Sequence, residues 1–202
     1  MAHSNDAEPF IILAVCTGNI CRSPAAERLL ASMLDSSVSV ASAGTYAMKG
    51  DPISPPMDRL IEQAGGSAAG FAATQLSERV IRPAGLVLGM TRAHRGAAVE
   101  LWPASVRHAF TLRQFARLIS QVDPSELPSG SAAERLRAAI PLAAANRGRQ
   151  KASAQDDDVP DPYRRGDRAY AEAFAEIRAA VDAIGQIICI APHNQGQPVT
   201  AL

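Results

Sequence analysis

The chain has no excess of either charge, because 20 lysines and arginines balance 20 aspartates and glutamates. A net charge of zero supplies no long-range field that would attract nucleic acid or an anionic membrane surface, and we expect neither as a partner. Cysteine is also scarce, with three residues in the whole sequence. An odd, small number does not fit the disulfide framework of a secreted domain, so we expect reduced thiols and a cytoplasmic location.

Long hydrophobic runs are absent as well. The apolar stretch Phe10–Val15 is too short for the core of a signal peptide or for a membrane span. Hydrophobic residues nevertheless make up 47% of the 202 residues, which is enough for one sizeable core. The sequence therefore predicts a soluble protein with a single domain over residues 1–202. We expect at most weak self-association.

Strand-like and helix-like segments alternate along the chain. Apolar runs predict strands at Phe10–Val15, Val38–Ala41, Gly85–Met90 and Val106–Phe110. Ser23 and Pro24 predict the start of a first helix. Helical spacing and capping signals predict further helices at Met57–Gln63, Leu76–Ala84, Thr91–Leu101, Leu112–Gln121 and Arg168–Ile188. This alternation is typical of α/β proteins, and it predicts a parallel sheet of about four strands with helices on both faces.

The region from about residue 123 to 157 differs in composition from its surroundings. It is rich in Pro, Ser, Gly, Arg and Asp, which predicts a long, partly mobile insertion with one helix over Ala132–Ala145. Residues from about 190 to 202 are predicted to form a flexible tail. Cys189 stands beside isoleucines on both sides, and we expect it in the core.

The segment Cys16–Ser23 (Cys-Thr-Gly-Asn-Ile-Cys-Arg-Ser) connects the first predicted strand to its helix. Such a turn lies at the carboxyl edge of a parallel sheet, where α/β folds bind ligands, and the helix N-terminus offers unpaired N–H groups. Gly18 and Asn19 tolerate the left-handed angles that let successive amides surround one anion. Arg22 adds a guanidinium that matches two phosphate oxygens. The segment therefore predicts a phosphate-binding cup, which we expect to involve Thr17, Gly18, Asn19, Ile20, Cys21 and Ser23.

Cys16 lies at the base of the predicted cup. The groups that hold phosphate also stabilise a thiolate, so we expect Cys16 to be ionised at neutral pH. A thiolate attacks phosphorus and becomes phosphocysteine, and Ser23 is placed to hydrogen-bond the sulfur and help it leave. The alternative is an unrelated buried cysteine and surface arginine, and the full strand, motif and helix context disfavours it.

These residues resemble the low molecular weight protein tyrosine phosphatases of bacterial type. The matching positions are Cys16, Gly18, Asn19, Ile20, Cys21, Arg22, Ser23 and Pro24. Ser42–Thr45, Gly85–His94 and Asp158–Tyr163 are also similar to family segments, and the resemblance covers most of Phe10–Leu118 and Asp158–Ile188. It implies a phosphotyrosine phosphatase that acts on a protein substrate, with Cys16 as nucleophile and Arg22 as the phosphate-binding cation.

The resemblance also implies a general acid. In this family the aspartate of an Asp-Pro-Tyr motif protonates the leaving oxygen and then accepts a proton from the hydrolytic water. The corresponding residue here is Asp161, followed by Pro162 and Tyr163. Asp158 is the alternative acid, and by residue type alone Asp161 could equally be a solvated surface carboxylate.

Other roles implied by the resemblance concern the surroundings of the cup. Ser42 and Asn19 resemble a polar pair that holds the loop in shape. Tyr46 and Tyr163 are candidates to wall a slot for an aromatic ring. Arg164 departs from the family, whose other members have a second Tyr or a Gly at this position. It places a cation at the mouth, which favours acidic residues beside the phosphorylated one.

Cys21 is the second cysteine of the motif. In the family this residue can form a protective disulfide with the nucleophile under oxidation, and the alternative here is a buried thiol without a partner. No set of His, Cys and Asp residues has metal-ligand spacing, so we expect neither a metal nor a cofactor. His94 and His108 receive no role from the sequence.

Three other functions compete with tyrosine phosphatase activity. Arsenate reductases of related fold need further cysteines for a disulfide relay, and none stands between Arg22 and Ile188. Protein arginine phosphatases resemble the chain around Val87–His94 and Phe110–Phe115, but they carry Thr where Ile20 stands, and the apolar Ile20 favours an aryl phosphate. A catalytically inactive phosphate-binding module is disfavoured because every group that the mechanism needs is present.

Overall fold

The computed structural model describes residues 8–148 and 157–189. One parallel sheet forms the centre, and its strands are β1 (Phe10–Cys16), β2 (Val38–Gly44), β3 (Leu86–Gly89) and β4 (Ala109–Thr111). The strand order is β2-β1-β3-β4. The chain therefore leaves β1 towards one side of the sheet and later returns to its other side, so the carboxyl end of β1 lies at the switch point where α/β folds bind ligands.

Seven α-helices accompany these strands in the described residues. They are α1 (Arg22–Met33), α2 (Met57–Gln63), α3 (Glu78–Ile81), α4 (Arg92–Leu101), α5 (Leu112–Ile119), α6 (Ala132–Ala145) and α7 (Asp167–Ile188). The predicted α/β class with about four parallel strands is confirmed. None of these helices is both long and apolar enough to cross a membrane.

The uninterrupted apolar run of β1 is explained by burial of both faces of the sheet. Ile12 and Ala14 point into a large core that also contains residues of α1, α5, α6 and α7. Leu13 and Val15 point the other way, into a smaller core closed by α3 and α4. Because side chains alternate along a strand, a strand covered on both sides must be apolar at every position.

Two sequence predictions need correction. The fourth strand was predicted at Val106–Phe110, but it begins at Ala109, because Pro103–Arg107 form a 3-10 helix with local hydrogen bonds. Cys189 was expected in the core and is exposed, because it follows the last inward position of α7, Ile188.

The region after α5 is folded over residues 123–148. The predicted helix Ala132–Ala145 is confirmed as α6, and a capping box between Ser131 and Glu134 begins it. Buried Arg135 donates hydrogen bonds to the carbonyls of Ile187 and Ile188 at 2.7 and 2.8 Å, which ties α6 to the end of α7. The rest of the predicted insertion, 149–156, and the predicted tail, 190–202, lie outside the described residues.

Candidate active site

Residues 16–22 connect β1 to α1, and this is the segment for which the motif predicts a phosphate-binding cup. Four backbone amides of the segment 45–54 donate to carbonyls of this loop: Thr45 to Cys16 at 2.9 Å, Tyr46 to Thr17 at 3.0 Å, Met48 to Gly18 at 3.0 Å and Ser54 to Ile20 at 2.8 Å. In a trans peptide the N–H points opposite to the C=O. The carbonyls are bound on the outside of the loop, so the N–H groups of the same peptides point inward, as an anion site requires.

The close approach of the segment after β2 depends on Gly44. A Cβ added at this position would collide with the carbonyl oxygen of Thr17 and press on Asn19. Gly44 also pairs with Cys16 in the sheet register, so β2 ends beside the base of the cup. A side chain here would push the 45–54 segment away from the loop that it holds.

The sulfur of Cys16 accepts two hydrogen bonds. The backbone N–H of Asn19 lies 3.2 Å from Sγ and the hydroxyl of Ser23 lies 3.0 Å from it. Cys16 is almost fully buried, at 2% exposure. Two donors directed at one buried sulfur stabilise negative charge on it, because hydrogen bonds to the charged form favour that form.

Asn19 is the polar centre that holds this arrangement. Its backbone φ of 55° is left-handed, and its side chain is fully buried. Its Nδ2 donates to Ser23 Oγ at 2.9 Å and to Ser42 Oγ at 2.7 Å, and its Oδ1 accepts from the Thr74 amide at 2.7 Å. The predicted pairing of Asn19 with Ser42 is therefore present in the structure.

Ser42 extends the network to a buried acid. Its hydroxyl donates to Glu27 Oε2 at 2.5 Å. Burial raises the pKa of Glu27, and the hydrogen bond from Ser42 opposes part of that increase. The carboxyl thus terminates a chain of side chains that runs through Ser42 and Asn19 to Ser23, next to the sulfur.

Arg22 and Asp161 meet across the mouth of the cup. Arg22 is buried, and its guanidinium forms an ion pair with Asp161 at 2.8 Å and donates to the Val159 carbonyl at 3.1 Å. Val159 is itself tied to β3, because its amide donates to the Met90 carbonyl at 2.8 Å. The side chain of Asp161 remains about half exposed, at 52%. The loop before α7 therefore brings the predicted acid to the predicted phosphate-binding cation.

Asp158 occupies a different position from Asp161. Its carboxylate accepts a hydrogen bond from the Arg92 amide at 2.7 Å, at the start of α4. It is therefore engaged at a helix N-terminus, while Asp161 is the carboxylate that contacts the guanidinium of Arg22.

A cavity of about 150 Å³ opens over the cup. The residues that line it are Cys16, Thr17, Gly18, Ile20, Cys21, Arg22, Tyr46, Met48, Asp161 and Tyr163. Tyr46 stands at the rim with 81% exposure, and Tyr163 forms a more buried wall. The two predicted tyrosines thus both line the cavity, together with apolar Ile20 and Met48.

Sequence reasoning missed His94. Its Nε2 lies 2.9 Å from Thr17 Oγ1 and its Nδ1 lies 2.8 Å from Thr91 Oγ1. Burial, and then the nearby charge of Arg22, lower the pKa of His94 to about 4, so the ring is neutral at physiological pH. The helix start at Thr91 was readable from the sequence, but its contact with the cup depends on β3 lying beside β1.

Cys21 is almost fully buried and contributes to the lining of the cavity. Its sulfur is 3.6 Å from the hydroxyl of Tyr170, on α7. Burial raises the pKa of Cys21 to about 11, although the Tyr170 hydrogen bond lowers it in part. Cys16 and Cys21 are both free thiols in this structure. Over residues 8–148 and 157–189, no group of three or more His, Cys, Asp or Glu is arranged to hold a metal.

Comparison with known proteins gives consistent matches. The model of a family described as "Low molecular weight phosphotyrosine protein phosphatase" matches residues 11–129. The chain is 40% identical over 107 residues to a protein-arginine-phosphatase of Geobacillus stearothermophilus, covering 53% of this chain and 72% of that protein. It is 29% identical over 172 residues to a probable low molecular weight protein-tyrosine-phosphatase, EpsP, of Ralstonia solanacearum, covering 85% of this chain and 91% of that protein.

A solved structure agrees with the sequence matches. The YwlE arginine phosphatase from Geobacillus stearothermophilus superposes with a TM-score of 0.64 at 29% identity, over 88% of this chain and 92% of that chain. The agreement extends over most of both chains, so the two proteins share one overall fold.

Proposed function

The chain belongs to the low molecular weight phosphotyrosine protein phosphatase family, and from this premise we propose that it hydrolyses phosphotyrosine in protein substrates through a phosphocysteine at Cys16. One observation carries the proposal. The buried sulfur of Cys16 accepts hydrogen bonds from the Asn19 amide and the Ser23 hydroxyl, inside a ring of inward-facing amides. Both donors stabilise the thiolate form of the sulfur, which is the form that attacks phosphorus.

Substrate binding would use the cup and Arg22. The phosphate dianion accepts hydrogen bonds from the loop amides, and the guanidinium supplies two further donors in a planar fork. Arg22 contacts Asp161 at 2.8 Å in the free protein. Phosphate oxygens would therefore compete with the carboxylate for the guanidinium, and they would place the bridging oxygen close to Asp161.

Phosphoryl transfer then follows in a balanced step. The sulfur of Cys16 forms a bond to phosphorus while the bond from phosphorus to the tyrosine oxygen breaks. The electron pair of that bond goes to the leaving oxygen, which takes its proton from the carboxyl group of Asp161. A positioned acid is needed because an unprotonated phenolate is the poorer leaving group.

Hydrolysis of phosphocysteine reverses the proton transfer. Asp161, now a carboxylate, accepts a proton from a water molecule whose oxygen bonds to phosphorus. The bond between phosphorus and sulfur breaks and its electron pair returns to Cys16. The hydroxyl of Ser23, 3.0 Å from the sulfur, stabilises the departing thiolate. All groups are supplied by the chain and by water, and the reducing cytoplasm is the compartment in which we propose that the thiol works.

The cavity walls support an aromatic leaving group. Tyr46, Met48, Tyr163 and Ile20 provide a largely apolar slot above the cup. Aromatic rings and a thioether pack well against a phenyl ring. Phosphoarginine is the second candidate substrate, because the chain is 40% identical over 107 residues to a protein-arginine-phosphatase.

His94 acts in this proposal as a positioning residue. The neutral ring bridges Thr91, which caps α4, and Thr17, which lines the cavity. It accounts for the orientation of the Thr17 hydroxyl at the edge of the phosphate site. It also does so without adding a charge beside Arg22.

The decisive experiment combines two variants and two substrate classes. Cys16→Ser should abolish hydrolysis of phosphotyrosine and phosphoarginine peptides alike, and retained activity would refute the nucleophile. Asp161→Asn should lower kcat by roughly 10²- to 10⁴-fold on phenyl phosphate and less on p-nitrophenyl phosphate, whose leaving group needs no proton. Asp158→Asn is the matched control and should leave the ratio between these two substrates unchanged.

A comparison of kcat/KM on matched peptides decides the substrate. Faster turnover of phosphotyrosine supports the proposal, whereas faster turnover of phosphoarginine replaces it with the second candidate. Ile20→Thr should shift the ratio towards phosphoarginine, because it removes apolar surface from the slot.

A further inference from the structure

The turn that follows the proposed acid has an unusual backbone. Arg164 has a φ of 59° and Gly166 has a φ of 78°. Within the described residues, Asn19 and Arg164 are the two non-glycine residues with positive φ, and Asn19 belongs to the cup. A side chain in the left-handed region costs free energy, and such strained residues cluster at functional sites. The observation therefore raises the question of what the Arg164 side chain does.

Arg164 lies against the wall of the proposed active site. Its guanidinium stacks over the ring of Tyr163 at 5.1 Å from the centroid. Tyr163 in turn lines the cavity above Cys16. The left-handed turn thus places a positive charge directly behind the wall that would contact the phosphorylated side chain.

A second cavity lies next to this turn. Its lining residues are Pro160, Asp161, Arg165, Arg168, Ala169 and Glu172, so it shares Asp161 with the first cavity. A substrate chain whose phosphorylated residue occupies the cup can therefore extend over Asp161 into this neighbouring space.

Two carboxylates and two guanidinium groups line the second cavity, and Arg22 adds a third cation through its ion pair with Asp161. Asp161 is paired with Arg22 at 2.8 Å, and Glu172 is paired with Arg168 at 2.8 Å. Both carboxylates of the lining are thus already engaged by cations. Among the described residues no ion pair is formed by Arg165, so its guanidinium is the one in the lining that has no carboxylate partner.

We propose that Arg164 and Arg165 form a subsite for an acidic residue of the substrate protein, beside the residue whose phosphate enters the cup. The proposal rests on the proposed function, because it assumes a phosphorylated protein as substrate. The free carboxylate of a Glu or Asp would pair with Arg165 in the second cavity and lie within reach of Arg164. Both arginines are exposed, so the effect is moderate and screened by salt.

The test compares two phosphotyrosine peptides that differ only in Glu or Lys at the residues flanking the phosphotyrosine. At low ionic strength the wild-type protein should turn over the Glu peptide several-fold faster, and 0.5 M salt should narrow the difference. Arg165→Gln and Arg164→Gln should each reduce the Glu-to-Lys ratio of kcat/KM by roughly two- to five-fold. Hydrolysis of p-nitrophenyl phosphate, which has no flanking residues, should be unchanged in Arg165→Gln.

Arg178→Gln is the matched control, because Arg178 is a half-exposed arginine of α7 that is paired at 3.7 Å with Asp182 and lines neither cavity. It makes the same charge change and should leave the peptide ratio at the wild-type value. Arg165→Glu should invert the preference in favour of the Lys peptide. The proposal is overturned when Arg164→Gln and Arg165→Gln leave the ratio unchanged, or when Arg178→Gln lowers it equally.

Failure of the subsite and failure of the proposed function give different results. Without a phosphatase centre, p-nitrophenyl phosphate is not hydrolysed by any of these proteins. If phosphoarginine peptides are cleaved and phosphotyrosine peptides are not, the same Glu and Lys flanks are compared on phosphoarginine, with the same expected ratios.

Discussion

Replacement of Asn19 measures how much the polar network contributes to the stability of the phosphate cup. The side chain is fully buried and makes three hydrogen bonds, to Ser23, Ser42 and the Thr74 amide. Asn19→Ala removes all three and keeps a Cβ on a backbone with φ of 55°. Asn19→Gly removes the same three bonds, but glycine adopts this φ without steric cost.

The two variants should differ by the cost of the left-handed backbone. Each lost hydrogen bond reduces the free energy of unfolding by about 1 kcal/mol, so three contribute about 3 kcal/mol in both variants. Alanine in the left-handed region adds about 1–2 kcal/mol, partly matched in Asn19→Gly by the greater freedom of glycine in the unfolded chain. We therefore expect losses of about 4 kcal/mol for Asn19→Ala and about 3 kcal/mol for Asn19→Gly.

Urea unfolding followed by circular dichroism gives both values by linear extrapolation. Ser32→Ala is a control, because it removes one partly buried hydrogen bond from the exposed residue Ser32 to the Leu29 carbonyl and should cost under about 0.5 kcal/mol. An Asn19→Ala protein within 1 kcal/mol of wild type would refute the network argument. An Asn19→Gly protein clearly less stable than Asn19→Ala would refute the backbone argument.

Three further predictions concern ionisable groups near the cup. The pKa of His94 is lowered from 6.5 to about 4, so between these pH values the unfolded chain binds a proton that the folded chain does not. The free energy of unfolding should therefore fall as the pH drops from 6.5 towards 4. The urea midpoint of His94→Gln should fall less steeply with pH than that of the wild type. The pKa of Glu27 is raised, so the free energy of unfolding changes with pH in the opposite direction and falls as the pH rises above 4.5. Glu27→Gln keeps an acceptor for Ser42, and it should gain stability relative to wild type between pH 4 and 7. A relative loss over that interval would contradict the assignment. The pKa of Cys21 is about 11, so about one thiol in a thousand is ionised at pH 8, and iodoacetamide should label Cys21 far more slowly than Cys16 by mass spectrometry. Equal labelling rates in the folded protein would show that this thiol is not protected by burial.

Local signals carried the sequence predictions that succeeded. The apolar run of β1, the turn motif and the start of α1 are adjacent in sequence, and α6 was predicted with the bounds Ala132–Ala145 that the structure has. Features that depend on packing between distant segments are harder to predict from the sequence. The hydrogen bond from His94 to Thr17 joins residues that meet only because β3 lies beside β1.

Errors at the ends of elements have a similar cause. Val106 belongs to an apolar run, yet the local hydrogen bonds that follow Pro103 keep this stretch out of the sheet. Cys189 has isoleucine neighbours, but inward positions on a helix recur every three or four residues, and Ile188 already occupies the last one. Composition alone cannot resolve a shift of one residue on a helix surface.

The segment 45–54 holds the loop of residues 16–22 mainly through four main-chain donors, and the Thr45 hydroxyl adds one long hydrogen bond of 3.5 Å to the Cys16 carbonyl. Every amino acid except proline supplies the same N–H, so the side chains at Tyr46 and Met48 can be exchanged without loosening the loop. These two side chains also line the entrance. Mutations at these two positions could therefore change which phosphorylated proteins enter the cavity, while the loop beneath keeps its main-chain hydrogen bonds.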